Sequence, residues 1–360
     1  MLCVMVCRFF RMTLIATLKA YERHFSAAAM VGGFALDNLV FGRIDHPATQ
    51  IVLASYLVIA ATSIVLLHYF EERAQKCGGQ FRWAGVLSAF TQFAFGGLWS
   101  AFLIFYSRSA VMATSWPFLL ILAAVFVGNE LFRDYRFRLV FTAILLFFAL
   151  FSYATFVVPI FAGTIDTRTF FVSGALTVLV FALFLTALAL LARSRISQDI
   201  GQIIAGAAFI FIGLNSLYYM NVLPPLPLAL ADAGIYTSKD SVVRKYQGET
   251  TFLPWYRRFS NPRQYQVPAG QPLYAFSAVF APAGLTTQIV HEWEWYDEAN
   301  SKWVTRTVIA FPIAGGRQNG YRGYSFKSSL RDGPWRIDVE TRDGRVIGRV
   351  NFIVHTGPTG

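Results

Sequence analysis

The hydrophobic pattern of the chain changes period once, near residue 227. Before that point long apolar runs recur, separated by short polar stretches. A helix needs about 20 mostly apolar residues to cross the hydrocarbon of a bilayer. Seven stretches are candidates: 26–41, 50–70, 83–106, 110–128, 139–161, 170–192 and 201–223. The first is short and contains Asp37 and Asn38. The run 170–192 has no charged residue, which an amphipathic surface helix would not tolerate. Leu223-Pro-Pro-Leu-Pro227 ends the last run, because proline cannot continue a helix.

From Leu273 onward the period is two. In Gln288–Tyr296, Ile289, His291, Trp293 and Trp295 fall on one face, and Val290, Glu292, Glu294 and Tyr296 on the other. Trp293, Trp295 and Trp335 are in phase with apolar neighbours and are expected in a core. Asp343-Gly344 is a hairpin turn between two alternating runs. About six short strands joined by turn signals predict an antiparallel sandwich of immunoglobulin-like type. The expected organisation is a leading segment 1–25, a membrane all-α bundle of about seven transmembrane helices over 26–227, a connector over 228–270 with room for one short helix or strand, and an all-β domain over 271–360.

Composition agrees with the membrane reading. Of 360 residues 55% are hydrophobic and 14% charged, against about 25% charged in soluble domains. The net charge of +11 raises a nucleic-acid reading. It fails because the cations are spread through the loops instead of forming one basic face. Counting Lys and Arg in alternate loops gives 12 on one side (Arg8, Arg11, Lys19, Arg23, Arg73, Lys76, Arg82, Arg133, Arg136, Arg138, Arg193, Arg195) and 3 on the other (Arg43, Arg108, Arg168). Cytoplasmic loops carry the excess, so the N-terminus is expected inside and everything after Leu223 outside, in a bacterial inner membrane. Met1–Phe10 lacks a signal-cleavage pattern, and Met12 would serve as an alternative start. Cys3, Cys7 and Cys77 show no zinc-ligand spacing, and no cysteine follows residue 77, so the β-domain must fold without disulfides.

A set of short motifs in the β region carries a resemblance: His291-x-Trp293, Tyr321-x-x-Tyr324-Ser325-x-Lys327-Ser328, Gly333-Pro-Trp335-Arg-Ile-Asp338-Val339, Gly344-Arg-Val-Ile-Gly348 and Phe352-x-Val354. Over Thr287–Val354 the chain resembles domain of unknown function 2914, a small bacterial domain often found at the C-terminus of multi-pass membrane proteins. The resemblance implies the architecture. It brings no activity, cofactor or catalytic residue.

Candidate chemistry is sparse. Polar groups inside a membrane are costly and tend to face protein or water. Asp37 and Asn38, followed by Arg43, Asp45 and His46, could form a transport site or a structural acid–arginine clamp. Gln92 and Asn215 suit interhelical hydrogen bonding. His68 with Glu71 and Glu72 has no recognised metal-ligand spacing. Asn129–Asp134 reads as a charged helix boundary. No nucleophile elbow or phosphate loop occurs, so neither cofactor nor metal is expected and an enzyme is the less favoured reading. Asp45 and Asp166, on the outer side, are the acids a lipid-linked substrate would meet. In the β-domain, Tyr321, Arg322, Tyr324 and Lys327 combine aromatic faces with cations after the turn Gly315–Gly320. That combination suits a sugar or an anionic envelope polymer; the bland reading is an edge strand guarded by charge. The expected partners are membrane lipid and an envelope polysaccharide or a membrane protein. The leading function is an envelope sensor, scaffold or binding protein; the alternatives are a transporter at Asp37 or a membrane enzyme on a lipid-linked substrate.

Overall fold

A computed structural model describes residues 32–38, 41, 44–79, 81–109, 112–131, 139–247, 262–268, 270–317 and 320–357. Helix α1 is described over 32–38. It is followed by α2 (Pro47–Lys76), α3 (Ala84–Ser109), α4 (Met112–Leu131), α5 (Leu139–Ala162), α6 (Thr167–Leu191) and α7 (Arg193–Tyr219). Five of these, α2, α3, α5, α6 and α7, are long and apolar enough to cross a membrane. Helix α4 holds a shorter apolar stretch, Thr114–Asn129. Half of the expected first span lies outside the described residues, so several apolar helices are shown and the count of seven is not.

The bundle packs α2 on α3, α3 on α4, and α5 on both α6 and α7. Its interior is aromatic: Phe95, Trp99, Phe102, Phe151 and Phe156 are fully buried. Trp99 meets Phe148 at 5.1 Å between ring centroids, and Phe102 meets Phe156 edge-on at 5.9 Å. Rings at such distances contribute beyond their buried area. The outside of the bundle is apolar too. Leu183 (63%), Leu190 (79%), Phe209 (75%) and Ile212 (64%) are exposed, a continuous display that water would penalise and hydrocarbon would not.

The remaining elements are β1 (Ala229–Tyr236), α8 (Lys239–Gln247), β2 (Arg263–Pro268), β3 (Leu273–Phe280), β4 (Thr286–Asp297), β5 (Lys302–Ala314), β6 (Tyr321–Lys327), β7 (Gly333–Thr341) and β8 (Val346–Gly357). They form a three-stranded sheet, β1-β3-β6, and a five-stranded sheet, β2-β8-β7-β4-β5. Two apolar clusters draw residues from both sheets, one holding Leu273, Trp293, Trp335 and Phe352, the other Val279, Ile289, Val339 and Ile347. Helix α8 covers the other face of the smaller sheet, with Val242 among Phe276 and Ala278.

Two expectations need correction. The sandwich is not wholly antiparallel, because β2 pairs with β8 in parallel. The strand order does not establish an immunoglobulin-like arrangement. The segment expected as a connector supplies two strands and a helix, since β1 pairs along β3 and β2 along β8. Trp293 and Trp335 are buried as expected, and Trp295 packs against the same core while partly exposed. Between Trp293 and Glu294 the pairing with β5 shifts by one residue. The extra residue lies on β5, so the strand bends there while β4 keeps its alternation.

One polar group crosses the sandwich core. His291 of β4 is completely buried. Its Nε2 lies 2.7 Å from Ser277 Oγ on β3, and its Nδ1 2.8 Å from Ser325 Oγ on β6. Trp293 Nε1 donates to the same Ser325 oxygen at 3.0 Å. That oxygen can accept from Trp293 and donate to Nδ1, leaving Nε2–H to donate to Ser277, a set that satisfies a neutral ring. Burial pushes the imidazole down to about 4. On the outer face of the larger sheet the opposite happens. Burial, then repulsion from Glu292, Asp338 and Glu294, pushes Glu340 up to about 7.

These two shifts oppose each other. The folded His291 pKa is depressed, so its contribution is complete above about 6.5 and is lost as pH falls toward 4. The folded Glu340 pKa is raised, so its contribution is complete below about 4.5 and is lost as pH rises through 7. Removing Glu340 should expose the histidine. In Glu340→Gln, β-domain stability should rise by about 3 kcal/mol between pH 4 and 6.5. Adding His291→Gln should abolish that slope. Denaturant titration of the whole protein, followed by tryptophan fluorescence, measures both.

Candidate functional site

The β-domain is seated on one end of the bundle, and its seat is built from turns. Helix α5 ends at Gly163, which has φ +68°, the left-handed conformation that closes helices and suits glycine. Its carbonyl accepts from Thr286 N at the start of β4, at 3.1 Å. Asp166 then caps α6, its Oδ1 accepting from Thr169 N at 2.8 Å and Thr169 Oγ1 at 2.6 Å. Those bonds hold the Asp166 carboxyl below its usual range. Above it lies the β7–β8 turn. Arg345 is buried with its guanidinium carbon 3.4 Å from the Tyr218 ring centroid, and Tyr218 stacks on Phe170 at 3.6 Å. Burial pushes Arg345 down to about 10, while Asp166 pulls in the other direction. A cation desolvated over a ring is the strong form of this contact.

Other contacts tie the same seat. Ser109, at the end of α3, donates through its hydroxyl to the Leu228 carbonyl. Phe280 of β3 belongs to the core of the bundle, and Ile165 packs against a core of the sandwich. Asp166 was visible in the sequence only as an isolated acid. Arg345 and Tyr218 gave no signal at all beyond an arginine directly after a hairpin turn.

The β6 candidates are divided by the strand's own period. Gly323 and Ser325 face inward, and Tyr321 and Lys327 share their phase. Tyr321 packs against a sandwich core and meets Arg317 at 4.7 Å. Lys327 Nζ donates to Thr307 Oγ1 on β5 at 2.7 Å. Arg322 and Tyr324 face outward with Phe326, which is 57% exposed. The four residues therefore form two pairs on opposite faces.

The bundle candidates are engaged in local bonds. Asp37 accepts from Ser100 Oγ of α3 at 2.6 Å. Arg108 donates to the Asn38 side chain at 3.0 Å, the Asn38 carbonyl at 3.1 Å and the Phe41 carbonyl at 2.5 Å, closing the end of the first helix. Arg43, the arginine of the expected acid–arginine clamp, lies outside the described residues; the geometry joins Arg108 to Asn38 and Asp37 to Ser100. Gln92 and Asn129 exchange side-chain to backbone bonds of 3.5 and 3.3 Å between α3 and α4, as interhelical bonding requires. The described bond of Asn215 stays within α7, to the Phe211 carbonyl at 2.8 Å. At the far end of the bundle, His68 is buried 3.7 Å from Glu71, which Arg195 approaches at 3.6 Å, and Glu72 accepts from Ser194 N at 3.2 Å. Among the described residues no group of three or more His, Cys, Asp or Glu side chains could hold a metal ion.

Residues 286–354 match the family described as "Protein of unknown function (DUF2914)", the resemblance already carried by the His291, Tyr321 and Trp335 motifs. No curated protein matches the chain. Among solved structures, the chain is similar to Pseudomonas fluorescens alkylpurine DNA glycosylase AlkC bound to DNA containing an abasic site analog, at 11% identity, over 85% of this chain and 98% of that one, with a TM-score of 0.23. A likeness that low carries no argument about fold or activity.

The seat makes a specific demand on Gly163. A Cβ there would lie 3.0 Å from the Gly284 carbonyl oxygen, on a backbone that side chains rarely adopt. Gly163→Ala should therefore loosen the β-domain from the bundle, at a cost of about 1–3 kcal/mol. Gly213→Ala, in open space on α7, should not. Hydrogen exchange at Thr286 N in whole protein reads the difference: faster in Gly163→Ala, unchanged in Gly213→Ala.

Proposed function

We propose that this is a multi-pass protein of the bacterial inner membrane whose exported β-domain recognises a ligand or partner in the envelope. The observation that carries the reading is the seat itself. A domain hung on a membrane anchor for display alone needs only a tether. Here the sandwich is bonded to α3, to the α5–α6 turn and to α7, so a change in the sandwich meets three parts of the bundle directly. Coupling of this kind requires differential contacts in two states, and the Arg345–Tyr218–Phe170 stack is where this reading locates them. The orientation rests on the loop charges, 12 against 3, with the N-terminus inside and the β-domain outside.

Alkaline phosphatase fused after the β-domain should be active, and a cytoplasmic reporter at the same position silent. The reverse pattern would refute the exported domain, and with it the envelope reading.

A further inference from the structure

The end of the sandwich furthest along β4 from the seat carries a cluster that the fold does not neutralise. Trp295 lies there, nine positions beyond Thr286, about 30 Å away at the rise of a strand. Two guanidinium carbons stand over its ring, Arg306 at 5.0 Å and Arg331 at 5.4 Å. Lys327, bonded to Thr307, is on β6, the edge strand of the facing sheet. It is desolvated and repelled by Arg306, which together lower its pKa.

The geometry is built and not incidental. Trp293 pairs with Thr307 and Glu294 with Thr305, so Arg306 is the extra residue of the β-bulge. Bulges of this kind re-aim a side chain, and this one brings Arg306 over the Trp295 ring. The ring itself is fixed, because its Nε1 donates to the Asp332 carbonyl at 2.9 Å. Arg331 is held by its own carbonyl, which accepts from buried Trp335 at 2.8 Å. Asp332 sits beside these cations but turns its carboxylate to the amide and hydroxyl of Thr356. Among the described residues Arg306, Arg331 and Lys327 have no carboxylate partner. The contrast is close at hand, since Arg336 and Arg349, on the outer face of the same sheet, are paired with Glu294 and Asp338.

We infer that Arg306, Trp295, Arg331 and Lys327 form a binding site for the phosphate or carboxylate groups of an anionic envelope polymer. Two planar guanidinium forks held at one ring present several donors to the oxyanions of such a polymer. The Trp295 ring orients them without neutralising them, and Lys327 adds a third charge. The distance from the seat favours a soluble polymer over the headgroups of the membrane in which the bundle sits. The envelope origin of that polymer rests on the exported domain proposed above; the site itself does not.

The test uses the whole protein in phosphatidylcholine nanodiscs and calorimetric titration. The probes are polyphosphate for the phosphate arm, oligogalacturonate for the carboxylate arm, dextran as the neutral control, and phosphatidylglycerol vesicles for the lipid arm. At least one soluble polyanion should bind saturably and weaken as salt rises, and dextran should not bind. Arg306→Gln and Arg331→Gln should each weaken that binding about tenfold, whereas Arg263→Gln, at the opposite edge of the sheet, should leave it unchanged. Arg306→Gln should melt at or above the temperature of the parent protein, because it relieves repulsion of Lys327. The inference is overturned if neither polyanion binds, if only the vesicles bind, if Arg263→Gln weakens binding as much as Arg306→Gln, or if Arg306→Gln lowers the melting temperature as a structural strut would. An active phosphatase fusion with no polyanion binding would remove the site alone. Binding with an inactive fusion would remove the exported domain and leave the site.

Discussion

The β-domain depends on a histidine that must stay neutral. Neither sheet is large, no disulfide is available to either, and the core between them is apolar except at His291. There one ring bonds to Ser277 and Ser325 and so joins β4 of one sheet to β3 and β6 of the other. Apolar packing has no direction, and sheets held by it alone could slide by a strand repeat. A buried hydrogen bond made at the wrong register leaves its groups unsatisfied, at a cost of about 1–3 kcal/mol for each. The network therefore contributes more to which arrangement forms than to how strongly it is held. Trp293, bonded to the same Ser325 oxygen, extends the constraint to the largest side chain in the core.

The parts of the fold written in local sequence were legible, and those that depend on distant pairing were not. Apolar runs mark α2, α3, α5, α6 and α7, because a helix in hydrocarbon satisfies its own backbone and needs no partner to be recognised. Strands β4, β7 and β8 alternate cleanly and have a turn signal between the last two. Strands β1 and β2 stayed hidden in the apparent connector. Arg263–Pro268 carries three polar residues and proline, and it becomes a strand only because β8 offers an edge. The bulge beside Trp293 was equally invisible, since it is a property of the β4–β5 pair.

The same division runs through the candidate sites. Residue type suggested β6, and the strand's period then split Tyr321 and Lys327 from Arg322 and Tyr324. Gln92 bonds between helices as a polar residue in an apolar helix should, and Asn215 shows that the same residue class can be satisfied by its own helix. The seat could not have been read in advance. It is assembled from the Gly163–Asp166 turn, Tyr218 and Arg345, which are far apart in the chain and individually ordinary. A turn that ends one helix and caps the next gave the sandwich a floor, and a single desolvated arginine closes it.

The parallel pairing of β2 with β8 also sets an order of events. A chain made from its N-terminus is presented in sequence order, so β2 appears well before the strand it needs. Closing a contact over that separation costs loop entropy and is slow. Until β8 arrives, the neighbouring edge of β7 is open and the Trp335 side of the core is uncovered, a state prone to wrong association. Assembly of this domain is therefore complete only when its last strand is delivered, and its vulnerable interval is measured by how quickly residues 346–357 follow the rest of the chain. Slowing the delivery of that one strand would lengthen the exposure of the whole sandwich to chaperones and proteases, with no change in the stability of the finished fold.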